Sequence, residues 1–135
     1  MTRFLISNQQ VVDLVHNVID KQLGGEIFVP KMPSYRITDL AEAIAPKMTQ
    51  VEVGKRPGEK LYDDIIAESD ADNTLEARDF YVIIPFMSYN DTKSKSEYEE
   101  YYKAKPVPED FRYSSNTNPV FETVETLREK IRRYI

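Results

Sequence analysis

Apolar residues first recur at helical spacing at Val11, Leu14, Val15, Val18 and Ile19, which share one face of a predicted helix. Ser7 or Asn8 is placed to cap its start, and Gly24-Gly25 supplies its stop. Residues 26–29, Glu-Ile-Phe-Val, read as a short buried strand closed by Pro30, after which Pro33 and Ser34 hold the chain extended. Thr38 is a predicted N-cap for a helix over residues 39–45, with Asp39 favourable at the positive helix end and Pro46 limiting growth. Residues 50–54 alternate polar positions with Val51 and Val53, as a half-buried strand does. Leu61, Tyr62, Ile65 and Ile66 return to helical spacing, and the acidic residues 68–72 read as a solvated turn. Residues 80–85, Phe-Tyr-Val-Ile-Ile-Pro, form a strongly β-prone run that its proline ends. Over residues 88–105 the composition changes to Lys, Glu, Ser and Tyr, which predicts a mobile, partly helical excursion. Finally, residues 123–135 place Val124, Leu127, Ile131 and Tyr134 on one face, with Arg128, Lys130, Arg132 and Arg133 at the end where a helix dipole favours cations. This is an amphipathic docking helix.

Length and charge narrow what such a chain can be. Its 135 residues, residues 1–135, amount to a single domain with a modest core. With 41% hydrophobic and 30% charged residues and a net charge of −5, it reads as a soluble acidic protein, and nucleic acid is not an expected partner. There is no cysteine, which removes disulfides and thiolate zinc sites, and one histidine leaves too few imidazoles for most transition-metal sites; no metal is expected. The absence of cysteine fits the cytosol. No apolar run approaches the roughly 20 residues of a membrane span, and the N-terminus lacks a secretory h-region, so the localisation read from sequence is cytoplasmic, with no membrane partner.

Two arginine-bearing segments carry the chemistry, because guanidinium groups make bidentate, charge-assisted hydrogen bonds to phosphate oxygens and remain charged at any relevant pH. They are Thr2-Arg3-Phe4 and Arg56-Pro57-Gly58-Glu59-Lys60. In the second, proline and glycine predict a tight turn that points Arg56 and Glu59 into one space, a cation for a diphosphate and a carboxylate for a ribose diol. Taken alone, such a turn is more often a solvated surface loop. Other candidates are weaker. The acidic run around Asp70 and Asp72 lacks the glycine and terminal glutamate of a calcium loop, and His16 lies at the edge of the first helix's apolar face with no assigned partner. Tyr89 with Lys93, and Tyr101 with Lys105, imitate the spacing of a Tyr-x-x-x-Lys catalytic pair but occur in a Tyr- and Lys-rich stretch. No catalytic residue is assigned.

The wider sequence favours the functional reading of the turn. The order Met1-Thr2-Arg3-Phe4, then Gly-Glu-Ile-Phe-Val-Pro-Lys at 25–31, Ile-Thr-Asp-Leu-Ala-Glu-Ala at 37–43 and Arg-Pro-Gly-Glu-Lys-Leu at 56–61, resembles the C-terminal half of the inverting UDP-N-acetylglucosamine 4,6-dehydratases, extended short-chain dehydrogenases of polysaccharide biosynthesis. Residues 79–85 and 111–116 resemble the later segments of that family, so the likeness covers nearly the whole chain. It implies a small α/β substrate-binding domain of short strands and three or four helices, without a Rossmann domain. It also implies that Arg3 and Arg56 hold the UDP diphosphate, that Thr2 adds a hydroxyl there, and that Glu59 binds the ribose. Tyr62 departs from the pattern, where a histidine is common. In the complete family enzyme NADP would oxidise the sugar at C4, water would leave across C5 and C6, and hydride return to C6 would give a 4-keto-6-deoxy sugar inverted at C5. With only four glycines and no Gly-x-x-Gly-x-x-Gly turn, no cofactor is expected in this chain. The implied partners are a UDP-sugar, a Rossmann domain in cis or trans, and further copies of the chain. Two alternatives stay open: a stand-alone binding or interaction module derived from the enzyme, and the same half of a UDP-sugar 4-epimerase. Two arginines and a glutamate are expected to contribute roughly 4 to 6 kcal/mol net, a millimolar to high-micromolar dissociation constant. Arg3 is near the terminus, where chains fray, so its share is expected to be small.

Overall fold

The computed structural model describes residues 1–86 and 93–132. In chain order its elements are β1 (Thr2–Phe4), α1 (Asn8–Lys21), β2 (Ile27–Pro30), β3 (Ser34–Arg36), α2 (Ile37–Ile44), β4 (Asp64–Ile66), a 3-10 helix (Glu68–Asn73), β5 (Thr74–Glu76), β6 (Phe80–Ile83), α3 (Lys95–Tyr102), β7 (Lys105–Pro106), β8 (Tyr113–Ser114) and α4 (Val124–Ile131). The fold class is α/β, with short strands and several helices. The described residues gather into two compact units: Met1–Leu5, Met32–Asp64 and residues 114–132 form the first, and Ile6–Lys31 with Ile65–Tyr113 the second.

In the second unit, an antiparallel sheet of order β2-β6-β5-β7 carries the core. Leu75, Val82, Ile84, Tyr98 and Tyr102 are buried together, with Phe28 and Phe80 packed against them. Phe28, Phe80 and Tyr102 meet at ring-centroid distances of 5.5 and 6.1 Å, two of the three pairs edge to face, the arrangement that ring quadrupoles favour. Each large side chain buried this way stabilises the fold by about 1.5–3 kcal/mol. α1 begins where predicted: Ser7 is its N-cap, and Ser7 and Gln10 complete a capping box.

In the first unit, β1 pairs antiparallel with β3, placing Arg3 opposite Tyr35. α2 packs on α4, whose Leu127 is almost wholly buried. Arg128 of α4 donates to the Glu42 and Ala43 carbonyls at the end of α2, satisfying groups a helix C-terminus leaves open. Asn118 is buried and donates to the carbonyls of Met32 and Val120 and to Ser34 Oγ, pinning β3 from one side.

Several sequence expectations are corrected. Residues 50–54 form no strand: Val51 and Val53 are 76% and 88% exposed, and alternation without a pairing edge does not make one. Residues 61–66 are not helical but end in β4, where Ile66 is buried and Ile65 exposed, a period of two that the apolar quartet disguised. α2 starts at Ile37, with Arg36 rather than Thr38 at the N-cap and no side-chain cap, because the helix continues directly from β3. The acidic run is a 3-10 helix whose Ala71 is buried. Of residues 88–105, those up to 92 lie outside the described residues, whereas α3 contributes Tyr98 and Tyr102 to the core, so these two tyrosines are packing groups while Tyr101 is exposed. α4 is capped by Thr123 and, within the described residues, runs to Ile131; Tyr134 lies outside them.

Candidate functional site

Arg3 is held in β1 and by its own guanidinium. Nη1 donates to the Thr2 carbonyl at 2.7 Å, Nη2 to the Lys60 carbonyl at 2.8 Å, and Nε lies 3.5 Å from Asp63 Oδ1. The expectation that Arg3 is loose because it sits near the terminus is therefore corrected: strand pairing and the Lys60 and Asp63 contacts fix it. Thr2 donates its N–H to the Leu61 carbonyl at 2.9 Å, and its hydroxyl lies 2.9 Å from Ser115 Oγ. Thr2 and Arg3 are thus brought to the segment that leaves the Arg56–Lys60 turn.

The turn is built as its residues dictate. Glu59 donates its N–H to the Arg56 carbonyl at 3.1 Å, Pro57 supplies the first central position, and Gly58 follows at φ +79°, the left-handed conformation a type II turn requires there. Open space surrounds the Gly58 α-carbon, so conformation rather than crowding demands glycine. The Glu59 carboxylate folds back to accept the Arg56 N–H at 3.1 Å, and the Arg56 side chain is exposed. Beside the turn is a cleft of about 370 Å³ lined by Lys55, Gly58, Glu59, Lys60, Leu61, Tyr62 and Asp64. Glu59 is in its wall; Thr2, Arg3 and Arg56 are not among its lining residues. The structure joins Arg3 to the turn through the Lys60 carbonyl, not through the side chains of Arg56 or Glu59.

Sequence reasoning missed Asp63, Ser115 and the cleft position of Tyr62. Ser115 lies in the 111–116 stretch used for the family likeness, and its full burial is the signal that such a small polar residue does not reveal by itself. Two other concavities suit phosphate less well. One, about 180 Å³, is walled mainly by Leu14, Val18, Phe28 and Phe80, with Lys21 and Asp79 offsetting each other's charge; the other is lined by Glu68, Asp72, Glu109 and Asp110, whose charge repels a diphosphate.

None of the four glycines lies between a strand and the start of a helix. Gly24 and Gly25 lie between a helix and a strand, the reverse of the strand-to-helix turn that cradles a pyrophosphate, and Gly54 and Gly58 precede β4. The Tyr101–Lys105 pair is broken up as well: α3 ends at Tyr102, Lys103 adopts a left-handed conformation, and Lys105 lies in β7. Tyr89 lies outside the described residues. His16 is exposed on α1. Among the described residues no group of three or more His, Cys, Asp or Glu side chains forms a metal site, and no helix is long and apolar enough to cross a membrane.

Comparison with known proteins agrees with the order of motifs. The chain is 38% identical over 132 residues to a UDP-N-acetylglucosamine 4,6-dehydratase (inverting) of Campylobacter jejuni, covering 97% of this chain and 40% of that protein. A UDP-glucose 4-epimerase of Rickettsia rickettsii is 34% identical over 87 residues, 62% of this chain and 26% of the epimerase. The crystal structure of Pen from Bacillus thuringiensis superposes with a TM-score of 0.74 at 26% identity, over 99% of this chain and 39% of Pen. The chain therefore spans about 40% of the length of the dehydratase it matches. The family profile described as polysaccharide biosynthesis protein matches residues 1–85, and on this match the chain belongs to that family.

Proposed function

We propose that this chain is the UDP-sugar-binding part of a UDP-N-acetylglucosamine 4,6-dehydratase (5-inverting), and that it supplies the grip on UDP while the chemistry resides elsewhere in the complete enzyme. The observation that carries the reading is the bond from Arg3 to the Lys60 carbonyl, which draws two basic segments 57 residues apart onto one loop. In this reading Arg56 and Arg3 face the diphosphate, Thr2 adds a hydroxyl, and Glu59 accepts from the ribose diol. NADP chemistry, oxidation at C4 and hydride return to C6, would belong to a Rossmann domain in cis or trans; no step of it is routed through these residues.

The dehydratase is favoured over the epimerase because the similarity to it runs through 97% rather than 62% of the chain. A free-standing module is disfavoured by α1, whose Val11, Val12, Val15 and Ile19 remain 41–61% exposed. A chain that functions alone is expected to have repolarised such a face; in this reading the Rossmann domain covers it.

Calorimetric titration with UDP tests the site. The wild-type chain is expected to bind in the millimolar to high-micromolar range, more weakly as salt rises, and Arg56→Ala to weaken binding about ten- to hundredfold. Equal affinity of the two proteins would remove Arg56 from the site.

A further inference from the structure

Asp63 stands where β1, the segment leaving the Arg56–Lys60 turn and Ser115 meet. Its Oδ1 lies 3.5 Å from Arg3 Nε, and its Oδ2 accepts the Phe4 N–H at 3.2 Å. Its own N–H donates to Ser115 Oγ at 2.9 Å, and its carbonyl accepts the Ser115 N–H at 2.9 Å. Ser115 is wholly buried, and its hydroxyl also meets Thr2 Oγ1 at 2.9 Å. One aspartate, itself anchored to a buried serine, thereby fixes β1 at consecutive positions.

A guanidinium has five N–H groups in a rigid fork. In Arg3, Nε forms an ion pair with Asp63 Oδ1 at 3.5 Å, while one N–H of Nη1 and one of Nη2 are spent on the Thr2 and Lys60 carbonyls, leaving one on each Nη nitrogen. We infer that Asp63 is a positioning residue for an anion-binding arginine, locking the Arg3 fork so that its two remaining N–H groups meet a phosphate of a nucleoside diphosphate already oriented. The inference rests on the proposed function for its ligand, but the lock itself is a property of the unliganded chain.

The sign of the effect separates positioning from plain charge. Asp63→Asn removes a negative charge close to an anion site, so a purely electrostatic role predicts tighter UDP binding. Positioning predicts weaker binding, by about tenfold. The test uses the full chain, with UDP titrated calorimetrically into wild type and Asp63→Asn, and with the Arg3 Nε–H resonance followed by NMR in both. The expected result is weaker UDP binding together with a protected Nε–H signal in wild type that moves to the fast-exchanging position of a free arginine in the variant. Unchanged or tighter binding, or an unchanged Nε–H signal, overturns the inference. Should wild type bind no UDP, the proposed function fails, while the Nε–H comparison still decides whether Asp63 holds Arg3. Should Asp63→Asn not fold, Asp63→Glu serves instead: its longer carboxylate cannot serve Nε and the Phe4 N–H together, and an affinity and Nε–H signal equal to wild type contradict the lock.

Discussion

Helices α1 and α4 read almost alike along the chain. Each has an apolar stripe at helical spacing and each is opened by a capping box, Ser7 with Gln10 in one and Thr123 with Thr126 in the other. Their surroundings differ. Leu127 of α4 is 1% exposed against its own unit, and Arg128 ties the helix to the end of α2. α1 buries none of its residues. Leu14 and Val18 are half-buried, and its C-terminal end is held where the Tyr102 hydroxyl donates to Glu26 Oε1 at 2.8 Å and lies 3.3 Å from the Lys21 carbonyl. An amphipathic pattern therefore states that a face requires cover without stating that the same chain provides it.

Substitutions in the two helices should separate them clearly. The largest effect is expected from Leu127→Ala, which opens a cavity under α4 and should cost about 2–5 kcal/mol in urea unfolding. A loss under about 1 kcal/mol would mean that α4 packs no more tightly than α1. Tyr102→Phe comes next, at about 1 kcal/mol near neutral pH, because it deletes the bonds that hold the end of α1.

That second deficit should depend on pH. Burial alone would raise the Glu26 carboxyl, but hydrogen bonds from Tyr102 and from the backbone N–H groups of Glu26, Leu23 and Gly24 hold it below its ordinary 4.5. A depressed carboxylate stabilises the fold above its unfolded value, and that contribution is lost as pH falls through the lowered folded value. The gap between wild type and Tyr102→Phe is thus predicted to shrink as pH drops below 4.5, and a gap that widens there would contradict the assignment. Smallest of all, Val15→Ser and Ile19→Ser should change the stability of this chain by no more than about 0.5 kcal/mol. A change near that of Leu127→Ala would show that the α1 face is covered after all.

The same contrast explains how much was legible in sequence. Caps and periodic stripes are local, so Ser7, the apolar face of residues 124–131 and the strand character of residues 80–83 could be read directly. The Pro57-Gly58 turn was legible for the same reason, since its chemistry is contained in four residues. Partners distant in sequence were not. β1 exists because β3 lies beside it, and Asp63 acquires meaning only when the chain returns at Ser115, 52 residues later. The valines at 51 and 53 failed in the opposite sense, having the pattern of a strand and no neighbour to pair with.

The central claim, a UDP-sugar site on the Arg56–Lys60 turn and the segment that Arg3 clasps, is tested most directly by titrating the isotopically labelled chain with UDP-N-acetylglucosamine and following its backbone amides by NMR. Saturable shifts are expected at Arg3, Arg56, Gly58, Glu59 and Lys60, at concentrations in the high-micromolar to millimolar range. Shifts confined to the apolar cleft of Leu14, Val18, Phe28 and Phe80, or no shifts at millimolar ligand, would contradict it.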